Sequence, residues 1–264
     1  MKKAALLVWV LGFALSLTAQ HKHNDGRKHQ RSELEKVTVT VDPFGNVVET
    51  YDDPIPDWAT QEDDPGMPLV DPTEFLANEA EKANQLTKAG FQPVIVWIAV
   101  DVEYMLEEPN WPTRTLTIFQ NARPSFLMFG QIDLVFGGWF PWDSRGSNGS
   151  EMLGNLAADF SHLPNGLVVG FTDDPNFVDS EGDRLGGKAY VYGSNPGLGF
   201  SIVENQSLTS TTYALRHELG HNYGMYHDTG AEICMMNYTY AYSVFFWDID
   251  HQLDLINRNT RFTN

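Results

Sequence analysis

The sequence predicts an α+β domain of mixed α/β layers over residues 91–264. Three observations carry that prediction. Apolar runs rich in β-branched residues recur from Phe91 onward. Stretches with helical apolar spacing alternate with them, as in layered folds. The chain has 264 residues, 42% of them hydrophobic, which is enough to bury one good-sized core.

"VTVTVDPFGNVVETY" alternates valine with polar residues about a turn at Pro43 to Asn46, the pattern of a small hairpin. From Val37 to Glu81 there are twelve acidic residues and no lysine or arginine. Such a stretch reads as extended or unstructured. "PTEFLANEAEKANQLTKAG" predicts a short helix stopped by Gly90. "PVIVWIAVDVEYM" is a continuous apolar run of the kind found in a buried strand. "LTIFQNARPSFLMFG" suits a helix that Pro124 should kink or restart. "QIDLVFGGWF" is the next strand, and "SEMLGNLAADFSHL" an amphipathic helix with Ser150 as its N-cap. "NGLVVGFTDD", "GKAYVYG" and "GFSIVEN" are further strands. "SLTSTTYALRHELGHNYG" is a helix, and "WDIDHQLDLINRN" a closing one.

The N-terminus reads as an export signal over residues 1–19. Lys2 and Lys3 precede an uncharged apolar run, Ala4 to Leu17, and small residues lead to a cleavage point after Ala19. The run is short for a membrane span, so no stable membrane anchor is expected after cleavage, and the chain should be secreted or periplasmic. Residues 20–90 then form an acidic, proline-rich segment, a propeptide or a linker. A net charge of -18 argues against nucleic acid and against an anionic membrane surface. Cys234 is the one cysteine, so no internal disulfide can form. Buried and inert is the plainer reading of it.

"HELGHNYGMYHD", His217 to Asp228, gathers three of the chain's eight histidines. On a helix four residues turn through about 400°, so His217 and His221 share a face. Both imidazoles can then reach one zinc ion at about 2.0–2.1 Å. Glu218 is rotated about 100° away, which lets it act on water without becoming a ligand. Gly224 can end the helix in a left-handed turn and bring His227 back as a third nitrogen. Three ligands leave a place for water, as catalytic zinc requires.

This set resembles the extended zinc motif of the metzincin metalloproteases, and "CMMNY", Cys234 to Tyr238, resembles their Met-turn. Asp228 and the Cys234-x-Met236 spacing are most like the adamalysin (reprolysin) branch. Tyr238 is like the tyrosine that follows the Met-turn in astacins and serralysins. The resemblance implies a mostly parallel twisted sheet, an active-site helix and a small C-terminal subdomain. It implies a secreted zinc endopeptidase acting on protein or peptide substrates. His217, His221 and His227 would bind Zn2+, and Glu218 would serve as general base toward zinc-bound water, then as proton donor. Met236, or else Met235, would lie under the metal, and Asp228 would fix the loop. Tyr238 would either pack or bind the metal and swing away. The edge of "GKAYVYG" would pair with an extended peptide. The branch's disulfides and its cysteine-based latency have no counterpart here. If the acidic segment inhibits, an aspartate such as Asp52, Asp53 or Asp57 would sit on the zinc; the sequence does not choose. A non-catalytic, zinc-stabilised protein-binding module is the alternative, and the intact Glu218 counts against it. "DDPNFVDSEGD", Asp173 to Asp183, has oxygens for calcium but not the EF-hand spacing, so a solvated loop is the plainer reading.

Overall fold

A computed structural model describes residues 37–56, 59 and 69–263; the expected leader lies outside them. The hairpin forms as its sequence predicts: β1 (Val37–Val41) pairs antiparallel with β2 (Val47–Tyr51), Val41 opposite Val47. Asp42 closes the turn by accepting from the backbone N–H of Phe44 at 3.0 Å and of Asn46 at 2.8 Å. A two-residue strand, β3 (Asp53–Pro54), follows directly. The expectation of an unstructured stretch is therefore corrected for residues 37–54. Val48, Thr50 and Tyr51 supply the buried contacts, and the buried Asp42 is used by the turn it closes.

The helix α1 (Pro72–Lys88) is capped by Asp71, which accepts from Thr73 and Glu74 N–H. It leads into the strand β4 (Gln92–Asp101) and a short α2 (Val102–Glu107). The next helix, α3 (Trp111–Gly130), runs through Pro124 without a break. Leu116, Phe119, Ala122 and Phe126 are fully buried along it, and that packing outweighs the lost hydrogen bond. Then come β5 (Ile132–Trp142), α4 (Gly149–Phe160), β6 (Gly166–Thr172), β7 (Leu185–Val191) and β8 (Leu198–Glu204). The N-cap of α4 is Asn148, not Ser150. Its side chain accepts from Glu151 N–H at 3.0 Å, while Glu151 reaches back to Ser147. Two helices complete the chain, α5 (Leu208–Asn222) and α6 (Ile249–Asn257).

The sheet order is β1-β2-β7-β8-β6-β4-β5, with β3 also on β7. Strands β4, β5, β6 and β8 are mutually parallel, and β7 is antiparallel to β8. A mostly parallel sheet thus holds for β8, β6, β4 and β5, which reach one edge of the sheet. The whole sheet is mixed, because the N-terminal strands add antiparallel to the free edge of β7. Every residue of β6, β7 and β8 is buried, as expected of strands covered on both faces. A Cβ at Gly187 would run into Glu218 of α5, while Gly149 at the start of α4 abuts Lys188. Since neighbouring strand residues face opposite ways, α5 and α4 cover opposite sides of β7. Among the described residues, no helix is long and apolar enough to cross a membrane.

Candidate metal centre

The helix α5 starts at Ser207, whose hydroxyl accepts from Ser210 N–H at 3.1 Å. Asn222 ties its far end to the sheet by donating to the carbonyls of Tyr190 and Phe200, both at 2.9 Å. Gly224 then adopts φ 80°, and Met225 N–H reaches back to the Gly220 carbonyl at 3.2 Å. Arg258, just past α6, donates to the carbonyls of Tyr223 and Gly224, both at 2.8 Å. Arg261 does the same for Tyr192 at 2.8 Å and Asn222 at 3.2 Å. The last carbonyls of the helix are satisfied from the C-terminal part of the chain.

That turn carries His227 back to the two helical histidines. His217 Nε2 lies 2.9 Å and His221 Nε2 3.1 Å from His227 Nε2. His217 Nδ1 is 2.8 Å from the Met235 carbonyl, and His221 Nδ1 is 2.8 Å from the Met225 carbonyl. A carbonyl only accepts, so the proton is on Nδ1 and each Nε2 keeps its lone pair. Burial pushes the His221 imidazole down to about 4, which keeps it neutral at pH 7.

A fourth donor comes from outside the motif. Asp53 places its carboxylate oxygens 3.0 Å from His227 Nε2, 3.4 Å from His221 Nε2 and 3.5 Å from His217 Nε2. All four side chains are buried. Lone pairs and a carboxylate held this close repel one another unless a cation lies among them, and three imidazoles with one carboxylate are a donor set that zinc accepts. The residues therefore fit a metal ion. Of the three aspartates raised by the sequence, Asp53 is at the centre, Asp52 points elsewhere, and Asp57 lies outside the described residues.

Glu218 is buried beside this cluster, in the space that Gly187 leaves free on β7. Burial raises its carboxyl well above the usual range, and the Asp53 charge raises it further. Tyr51 covers the ligands, stacked on His221 with ring centroids 5.3 Å apart and edge-on to His227 at 4.7 Å. The Tyr238 ring lies 4.1 Å from that of His227, and its hydroxyl donates to the Asp52 carbonyl at 3.3 Å.

The turn at 234–237 packs beneath α5. Met236 is fully buried, its Sδ only 2.9 Å from where a Gly220 Cβ would be. Met235 contributes its carbonyl to His217 instead. Asp228 does not approach the three imidazoles' meeting point. Its N–H donates to the Met236 carbonyl at 2.9 Å, and its carboxylate lies 3.4 Å from His251 Nδ1. His251 also meets Asp248 at 2.8 Å, Cys234 Sγ at 3.3 Å and the Tyr226 carbonyl at 3.1 Å. Burial disfavours its charge, yet Asp228 and Asp248 hold His251 well above the usual imidazole range. Cys234 is buried, and burial pushes its thiol up to about 11. The acidic loop after β6 brings Asp179, Glu181 and Asp183 together. There Asp179 already accepts from the N–H groups of Glu181 and Asp183, at 2.8 and 3.0 Å.

Sequence reasoning missed Gly187, Tyr51, Asn222 and His251. None sits in a spacing pattern, and each matters through a neighbour distant in the chain.

No family model matches the sequence. Among solved structures, the chain is similar to metalloproteinase-II from Bacteroides fragilis, with 13% identity and a TM-score of 0.48 over 89% of this chain and 78% of that one. It is also similar to part of a chaperone–substrate complex, with 12% identity and a TM-score of 0.46 over 65% of this chain. The chain spans about a third of that protein's length, 34%.

Proposed function

We propose that this chain is an exported, zinc-dependent endopeptidase whose own N-terminal segment fills its cleft until that segment is displaced or removed. The carrying observation is the convergence of three imidazole Nε2 atoms beside a buried glutamate, closed by Asp53. His217, His221 and His227 would hold the zinc. When bound, zinc supplies a Lewis acid at this point of the cleft.

The remaining chemistry belongs to the chain. Glu218 takes a proton from the attacking water and returns it to the leaving amine; a carboxyl raised by burial suits both directions near neutral pH. β7 supplies the backbone for strand addition, as it does now for Asp53 opposite Gly187 and Pro54 opposite Leu185. The Tyr238 hydroxyl, donating to a backbone carbonyl of the strand in the cleft, would orient a substrate carbonyl in the same way. Met236 and Asp228 act from below, by packing and by holding the loop. Asp228 and the Cys234-x-Met236 spacing favour an adamalysin-like arrangement, and the reach of Tyr238 an astacin-like one.

Peptide hydrolysis and bound zinc are measured together on three forms of the full chain: wild type, Asp53→Ala, and Asp53→Ala with Glu218→Gln. The wild type should be latent, and Asp53→Ala should cleave peptides in a reaction stopped by 1,10-phenanthroline. The added Glu218→Gln should keep zinc and lower the rate by about 10²–10⁴-fold. A folded, zinc-loaded Asp53→Ala protein that cleaves nothing would favour the zinc-stabilised binding module instead.

A further inference from the structure

Lys188 lies in the middle of β7 and is wholly buried. Its ammonium donates to the Tyr51 carbonyl at 3.2 Å and pairs with the Asp52 carboxylate. Both partners belong to the segment that fills the cleft. Among the described residues, no acceptor from 69–263 bonds to this ammonium. The enzyme body therefore presents a buried cation whose direct hydrogen-bond and ion-pair partners come from the occupant of the cleft, while of the body's own carboxylates Glu218 feels its charge. A buried charge stripped of its partner is strongly unfavourable, so an occupant without an anion there is penalised.

The geometry fixes which side chain of the occupant is read. Asp53 lies opposite Gly187 and over the histidines, and Asp52 directly precedes it. Pro54 and Pro56 continue along the other side, against Ala214, Ala241 and Tyr242. The segment thus lies as an extended peptide would, antiparallel to β7, with its acidic side chain one residue ahead of the metal-facing position. The surroundings sharpen the contrast. With 35 acidic residues against 17 basic ones, the chain's overall field repels acidic peptides, and Lys188 is a local exception on the α4 side of β7, where it meets Asp52.

We infer that Lys188 is a specificity-determining residue that binds an aspartate or glutamate of the substrate, one position N-terminal to the residue over the metal centre, with Asp52 as its occupant in cis. The inference rests on the peptidase reading above. A hydrogen bond to a charged partner is worth about 10- to 100-fold in selection against a neutral side chain.

Two measurements test it. The first is cleavage-site profiling on a peptide library with zinc-loaded, full-length Asp53→Ala protein, alone and with Lys188→Met or Lys188→Glu. The acidic preference should be about 10- to 100-fold in kcat/KM, vanish with Lys188→Met, and turn to lysine or arginine with Lys188→Glu. An acidic preference that survives Lys188→Met overturns the inference. The second is hydrogen exchange on the latent full chain. Asp52→Asn and Lys188→Met should each speed exchange at residues 49–54 while β6 and β8 stay protected, and Asp52→Lys with Lys188→Glu should restore slow exchange. If Asp53→Ala cleaves no peptide at all, the peptidase reading fails. The exchange result then stands alone: coupling supports recognition of an acidic strand by Lys188, and its absence overturns it.

Discussion

At Gly187 the strand that edges the cleft carries no side chain, and the Glu218 carboxylate occupies the space a methyl group would need. Gly224 does comparable work at the other end of α5. Its φ is 80°, and a Cβ there would lie 2.6 Å from the Tyr192 carbonyl oxygen and 2.7 Å from Arg258 Nη1. Left-handed backbone alone costs an alanine about 1–2 kcal/mol. Gly224→Ala should therefore lower the thermal midpoint and weaken zinc binding, both measurable by unfolding in the presence of a zinc buffer. Unchanged zinc affinity would mean that the turn does not set His227. The helical histidines, Glu218 and Gly224 were legible in the sequence because their spacing is local and follows the helix period. Asp53 was only one of three aspartates, because its place depends on strand pairing with residues more than a hundred positions away. Gly187 left no signal, since its role is an absence of volume opposite a residue on another element.

Among the elements, the least expected packing is that of α1. Phe75 is buried edge-on to Phe119 and Phe136, at 6.2 and 6.1 Å between ring centroids. Glu79 meets Arg123 of α3 at 2.9 Å, and Arg123 also holds Asp133 of β5 at 2.7 Å. The helix is thus clamped to α3 and β5 through buried charge. Arg123→Ala would leave two buried carboxylates without their guanidinium, and should destabilise by about 3–5 kcal/mol in urea titration. A change under about 1 kcal/mol would show that water replaces the clamp. The existence and type of most elements were legible here, from alternation in the hairpin and from periodicity in the helices. The continuity of α3 through Pro124 was not, because it comes from burial of both its halves. Nor was the mixed sheet, because composition alone does not reveal that an acidic segment pairs with β7.

For the molecule as a whole, one candidate metal centre draws on three parts: α5, the turn after Gly224, and the N-terminal strand at Asp53. An ion bound only by the folded state stabilises it by mass action, about 4 kcal/mol at a thousandfold excess over its Kd. Chelation should lower the thermal midpoint of the full chain, and zinc should restore it. The loss should be smaller for Asp53→Ala, which lacks the fourth donor; equal losses would argue that Asp53 is not a ligand. The most direct test is a crystal structure of the latent, zinc-loaded chain with anomalous data at the zinc edge. The expected result is one peak about 2.0–2.2 Å from the Nε2 atoms of His217, His221 and His227 and from one Asp53 oxygen. A structure with zinc elsewhere, or with the three imidazoles bound to zinc and Asp53 withdrawn from the cleft, would contradict this account of a metal centre closed by its own N-terminal segment.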